Sequence, residues 1–163
     1  TLIHERDTIF LDVSLASVEI AKLLSESSLQ MTVMTNMIDV LNILSHSSHI
    51  SIVFIGGQLN QECDGFWGSL SVQMIQLFKI DKAFVGVNTL TGQLSTYHVD
   101  DGFMKKTLIQ QSQMSYLLCE ERKFKEDGSF VFASLNDVSG LLTSKELHTN
   151  IKEDLEDYGL VII

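Results

Sequence analysis

The sequence predicts a three-layer αβα domain built on a mostly parallel sheet of about six or seven strands. Three observations predict it. Compact apolar runs alternate with longer segments whose apolar residues recur at helical spacing, the pattern of βα units. The runs are apolar at nearly every residue, as strands covered on both faces must be, and helical crossovers imply parallel pairing. At 163 residues and 45% hydrophobic content, the chain is long enough to bury one core of ordinary size. The architecture is Rossmann-like.

The elements follow in order. A strand at Thr8 to Asp12 runs into a helix with an apolar stripe from Val18 to Leu24. A second strand, Met31 to Thr35, leads into "NMIDVLNILSH", where Met37, Val40, Leu41 and Leu44 share one face at i, i+3, i+4 and i+7. Strands are expected at Ile50 to Ile55, Lys82 to Val87, Tyr116 to Cys119, Gly140 to Thr143 and Leu160 to Ile163. Helical stripes lie at Val72 to Phe78, Phe103 to Ile109 and, more polar, Glu146 to Tyr158. Two stretches rich in Gly and small polar residues, "GGQLNQECDGFWGS" and "NTLTGQLSTYHVDDG", read as long loops, which in compact domains are commonly functional.

Charge and cysteine content narrow the function classes. A formal charge of −10 argues against direct nucleic-acid binding, because Lys and Arg on phosphates supply most of that affinity. Cys63 and Cys119 form no CxxC pair, so neither a disulfide framework nor a zinc site is indicated and a reducing cytoplasm fits. No run approaches the roughly 20 apolar residues of a membrane span, and the N-terminus lacks a signal pattern. The chain opens only a few residues before its first strand and reads as a piece of something longer.

In open α/β sheets, ligands bind beyond the carboxyl ends of the strands. Those ends offer Asp12 with Ser14, Thr35 with Asn36, Gly56 with Gly57, Gly86 with Asn88, Glu120, and Thr143 with Ser144. Any one of these is explained as well by helix capping or turn formation; together they suggest a concave polar site. Five of eleven cations, Lys105, Lys106, Arg122, Lys123 and Lys125, fall in one short stretch, which suits an anion site or, equally, a solvated helix face and a hydrophilic loop. His98, Asp100 and Asp101 lack a distant partner ligand, so no metal or other cofactor is expected. Trp67 and Phe66 would wall a pocket, form an oligomer contact, or anchor their loop in the core.

The series "TIFLD", "TVMTN", "VFIGGQLN", "GFWG", "DKAFVGVN", "DDGFMKKTLI" and "LLCEERKF" resembles, in order, the C-terminal effector-sensing domain of DeoR-type transcriptional repressors. The likeness runs from about Ile9 to the C-terminus. It implies a fold like that of ribose-phosphate isomerases and CoA transferases, a phosphorylated-sugar effector, a homo-oligomer, and a winged helix-turn-helix on the N-terminal side that is absent from this chain. On that reading residues 1–163 are one effector domain, and DNA is a partner only through the missing segment.

The resemblance also proposes ligand residues. Asp12 matches the aspartate closing the first strand, Thr35 and Asn36 the TN pair, Gly56 and Gly57 the glycine pair, Lys105 the lysine of E-a-a-v-K, and Lys123 that of D-s-s-K-F. Asp101 and Glu120 stand where the family has the acidic residues of those last two motifs. Carboxylates and amides bond hydroxyls, glycines admit close approach, and lysines neutralise phosphate. After Asp12, however, the family's s-G-T-T is here Val13, Ser14, Leu15 and Ala16. Losing two neutral hydrogen bonds there costs about 1–3 kcal/mol, roughly tenfold to hundredfold in affinity. Two rivals stand beside the sensor: a sugar-phosphate isomerase or CoA-transferase-like enzyme with Asp12, Asp101 or Glu120 as base, and a degenerate domain that only oligomerises.

Overall fold

The structure is a computed structural model, and it describes residues 2–87, 92–119, 128–143 and 161–162. Its centre is a seven-stranded sheet, paired in parallel throughout. Its strands are β1 (Thr8–Leu11), β2 (Met31–Thr35), β3 (Ile50–Phe54), β6 (Ile80–Gly86), β8 (Ser112–Leu118), β10 (Gly140–Leu142) and β11 (Val161–Ile162). The spatial order is β11-β10-β8-β6-β1-β2-β3. From β1 the chain winds outward through α1 (Leu15–Ser25), β2, α2 (Ile38–Leu44) and β3, then returns to lay β6 on the other side of β1. That reversal puts the topological switch point between β1 and β6, where a doubly wound sheet opens a crevice at its carboxyl edge.

Period-2 alternation distributes the core to both faces. Ile9 and Leu11 of β1 and Val33 of β2 point toward α1 and α2, where they meet Ala21, Leu24, Val40 and Leu44. Phe10, Met34, Ala83 and Val85 point to the opposite face. That face is covered by α3 (Ser69–Ile75) and α4 (Val99–Gln111), which supply Ile75, Met104 and Leu108. Burying side chains of this size contributes about 1.5–3 kcal/mol each, so both faces of β1 hold the sheet between its helices.

The two stretches read as loops are partly strand. In the first, β4 (Gln58–Asn60) and β5 (Gly65–Trp67) form an antiparallel hairpin; in the second, β7 (Gln93–Thr96) pairs with β9 (Phe130–Ser134). Strands of three or four residues with polar interruptions give too short an alternation to register in the sequence. Strand β8 also begins at Ser112 rather than Tyr116, because its exposed first residues need no apolar side chains. The polar stripe Glu146 to Tyr158 lies outside the described residues.

The β7–β9 ribbon changes the status of α4. This helix packs on the sheet through β6 and β8 and is also covered by β7 and β9. A Cβ on Gly102 would lie 2.2 Å from Phe130 Cδ1, so glycine is what lets the ribbon approach this closely. A helix enclosed in this way buries polar positions that an ordinary surface helix would leave in water, among them Asp101 and Lys105.

Candidate functional site

The site grows out of the β1–α1 junction. The Asp12 amide donates to the Phe84 carbonyl at 3.1 Å, extending the β1–β6 pairing by one residue, and the Gly86 amide donates back to Asp12 Oδ2 at 3.2 Å. A Cβ on Gly86 would meet Ser14 Cβ at 2.8 Å, so this glycine brings β6 against the turn. Ser14 caps α1, its hydroxyl accepting the Ser17 amide at 3.0 Å. The first turn of α1 contains no acidic residue, so its N-terminal dipole is uncompensated where it faces the crevice.

Opposite this turn stands Lys105, delivered by α4. Its ammonium lies 3.0 Å from Asp12 Oδ2 and donates to Asp101 Oδ1, one helical turn back on α4. Asp101 Oδ2 accepts the Thr96 hydroxyl at 2.7 Å, which ties the cluster to β7. All three charged side chains are buried. Burial alone would push Lys105 down, but the two carboxylates outweigh it and hold the ammonium well above the usual lysine range. Burial pushes the Asp12 carboxyl above its ordinary value; Lys105 opposes that shift and Asp101 adds to it. One cation between two carboxylates leaves the cluster short of positive charge and receptive to further donors.

Between the α1 turn and this cluster lies a cavity of about 490 Å³. Val13, Ser14, Leu15 and Ala16 form one wall, Asp101 and Lys105 another, and Trp67, His98 and Cys63 the side beneath the β4–β5 hairpin. Four buried polar atoms among the described residues have no hydrogen-bond partner: Asp12 Oδ1, Asn36 Oδ1, Trp67 Nε1 and Thr143 Oγ1. Asp12, Asn36 and Thr143 directly follow β1, β2 and β10, and Trp67 ends β5 beside them, so all four gather at the carboxyl edge. Each bond left unmade costs about 1–3 kcal/mol; Trp67 and Thr143 line the cavity itself, whereas Asp12 and Asn36 lie behind its wall.

The sequence-predicted residues fall into three groups. Ser14, Leu15, Ala16, Asp101 and Lys105 line the cavity, with Asp12 bonded to Lys105 beneath them. Thr35, Asn36, Gly56 and Gly57 sit one layer back. The Thr35 hydroxyl donates to the Leu11 carbonyl at 2.8 Å, Asn36 Nδ2 donates to the Phe66 carbonyl at 3.0 Å, and the Gly56 carbonyl accepts the Ser71 hydroxyl at 2.7 Å. Gly57, at φ 154°, packs against the Trp67 carbonyl. Glu120 and Lys123, with Asn88 and Ser144, lie outside the described residues. Sequence reasoning did not single out Thr96, Glu62 and Cys63, which the hairpin and the ribbon bring to the cavity. Their only signal was membership of the two long loops.

The architecture is an α/β fold of the ribose-5-phosphate isomerase type. A solved D-ribose-5-phosphate isomerase in complex with phospho-erythronic acid superposes with a TM-score of 0.51 at 17% identity, covering 76% of this chain and 48% of that one. The family is shown by sequence: a model of the DeoR C-terminal sensor domain matches residues 1–145, and the chain belongs to that family. It is 30% identical over 146 residues to the HTH-type transcriptional repressor GlcR of Bacillus subtilis, covering 89% of this chain. It is 27% identical over 164 residues to a lactose phosphotransferase system repressor of Staphylococcus epidermidis, covering 99% of this chain. The chain spans 56% and 64% of those two relatives' lengths. Among the described residues no helix is long and apolar enough to cross a membrane.

Proposed function

We propose that this domain senses a phosphorylated sugar and, through an attached winged helix-turn-helix, sets the DNA affinity of a larger regulator. The observation that supports it best is the cavity at the switch point, with the free N-terminus of α1 on one side and a donor-hungry ion cluster on the other. Lys105 is already matched by Asp12 and Asp101, so its part is to orient hydroxyls together with Asp101 rather than to neutralise a phosphate. The phosphate goes to the amides of α1, a natural anion seat, and to Lys123. The relatives' names, repressors of transcription and in one case of a lactose phosphotransferase system, agree with this reading. Binding moves the regulator between two subunit arrangements by as much as the effector's affinity differs between them.

The test is a thermal-shift screen of hexose and pentose monophosphates at millimolar concentration, expected to raise the melting temperature with at least one of them. Leu15→Asp should abolish that rise by placing a carboxylate at the anion seat. The same change should stabilise the free domain by about 0.3–1 kcal/mol, because an acid suits a helix N-terminus. A flat screen across the panel refutes the effector class.

A second reading, a sugar-phosphate isomerase, is favoured by one observation: the raised Asp12 carboxyl beside Lys105. Against it, Asp12 has no exposed surface from which to reach a substrate carbon. Turnover of a pentose phosphate would establish it.

A further inference from the structure

We propose that Trp67 is an effector contact that selects the ligand: its indole N–H donates to an oxygen of the molecule held between α1 and Lys105. The inference rests on the sugar-phosphate reading and adds a residue that the resemblance does not supply.

Trp67 is the chain's sole tryptophan, 8% exposed, and it stands in the cavity wall. A buried indole N–H normally finds an acceptor, and this one has none. Its backbone leaves it little room to find one elsewhere. Trp67 pairs with Gln58 across the β4–β5 hairpin, and its carbonyl would lie 2.5 Å from a Cβ on Gly57. The ring is held from the other side by His98, centroids 5.5 Å apart. Trp67, Asn60 and His98 also line a smaller polar recess of about 190 Å³ next to the cavity, shared with Gln58 and Asp100. Trp67 therefore stands between the main chamber and a side chamber of amide and carboxylate groups. A fixed donor in that position favours ligands with an acceptor oxygen on the hairpin side. It discriminates against analogues lacking that oxygen, because they leave the N–H unpaired.

Conservative replacement separates this from a packing role. Trp67→Phe keeps an aromatic ring and removes the N–H. With the hexose or pentose monophosphate that binds the wild-type chain best, Trp67→Phe should weaken binding about tenfold, the worth of one hydrogen bond to a ligand. Its melting temperature without ligand should be unchanged or raised, since an orphaned donor has gone. Titration of the wild type should change its tryptophan fluorescence with the same midpoint as the thermal shift. Unaltered affinity in Trp67→Phe, or silent fluorescence during a binding event seen by thermal shift, overturns the contact and leaves the sugar-phosphate reading intact. A lowered melting temperature with unaltered affinity assigns Trp67 to packing alone. If no member of the panel binds the wild type, the sugar-phosphate reading falls and the contact falls with it.

Discussion

The two ends of the parallel sheet each bury a lysine against aspartate, and they do so to opposite effect. At the amino edge, Lys82 meets Asp7 at 2.5 Å, one cation to one carboxylate, with side chains 10% and 14% exposed. Asp7 Oδ2 also accepts the His4 amide at 2.7 Å, and neighbouring Asp81 accepts the Thr8 amide at 2.8 Å. At the carboxyl edge, Lys105 serves two carboxylates, and the four buried polar atoms without partners gather there. The amino edge is a finished clamp that fixes the start of β1 against β6. The carboxyl edge keeps four buried polar atoms unpaired among the described residues, at a cost in stability that the amino edge does not bear.

The largest effect should come from Lys105→Met. It strands two buried carboxylates and should cost about 3–5 kcal/mol in urea denaturation, or prevent folding. Adding Asp12→Asn to that variant should recover part of the loss by removing one stranded charge; no recovery would mean that Asp12 and Lys105 are not coupled. Lys82→Met should cost less, about 1–3 kcal/mol, because water still reaches its partner.

The two edges should also part company with pH. Asp7 suffers desolvation, but its bonds to Lys82 and His4 prevail and its carboxyl lies below the ordinary value of 3.8. A depressed folded-state value means stability that is present above 3.8 and lost as the pH falls through the folded value, so wild type and Lys82→Met should converge in acid. Lys105 lies above its ordinary 10.5, so its contribution is complete below that pH and lost only as alkali carries it through the folded value. Melting temperatures across pH 3–11 should show the acid limb setting in and the Lys105 contribution undiminished up to 10.5; a Lys105 contribution that faded near neutrality would break the contrast. The smallest effect belongs to Thr143→Val. Its hydroxyl is buried without a partner, so the free domain should lose nothing and gain about 1 kcal/mol at most by calorimetry, the low end of what an unsatisfied hydroxyl costs. A loss would show that the hydroxyl is already paired.

Much of this was legible in the chain. Seven apolar runs at βα spacing mark the seven strands of the sheet, because a parallel strand covered on both faces cannot afford polar interruptions. Asp12 and Lys105 were singled out as well, although nothing local says that a lysine on an apparently solvated face of α4 will be buried. Its burial depends on β7 and β9, two short strands joined through sequence that looks like loop, and on the missing side chain of Gly102. Asp7 and Lys82 escaped for a similar reason: their meeting follows from the pairing of β1 with β6, which no local pattern encodes. Trp67 was noticed as an aromatic beside glycines, but whether it anchors a loop or walls a pocket is decided by the β4–β5 hairpin.

The bond between Gly86 and Asp12 joins residues 74 apart in sequence. A ribosome-bound chain that has emerged only as far as β3 already contains α1, yet it has no opposite wall, since β6 and α4 are still to be translated. The cavity thus comes into being only with the closing of the central strand pair. A half-synthesised copy would hold the α1 turn without the cavity beside it, and only a chain translated through α4 has both walls.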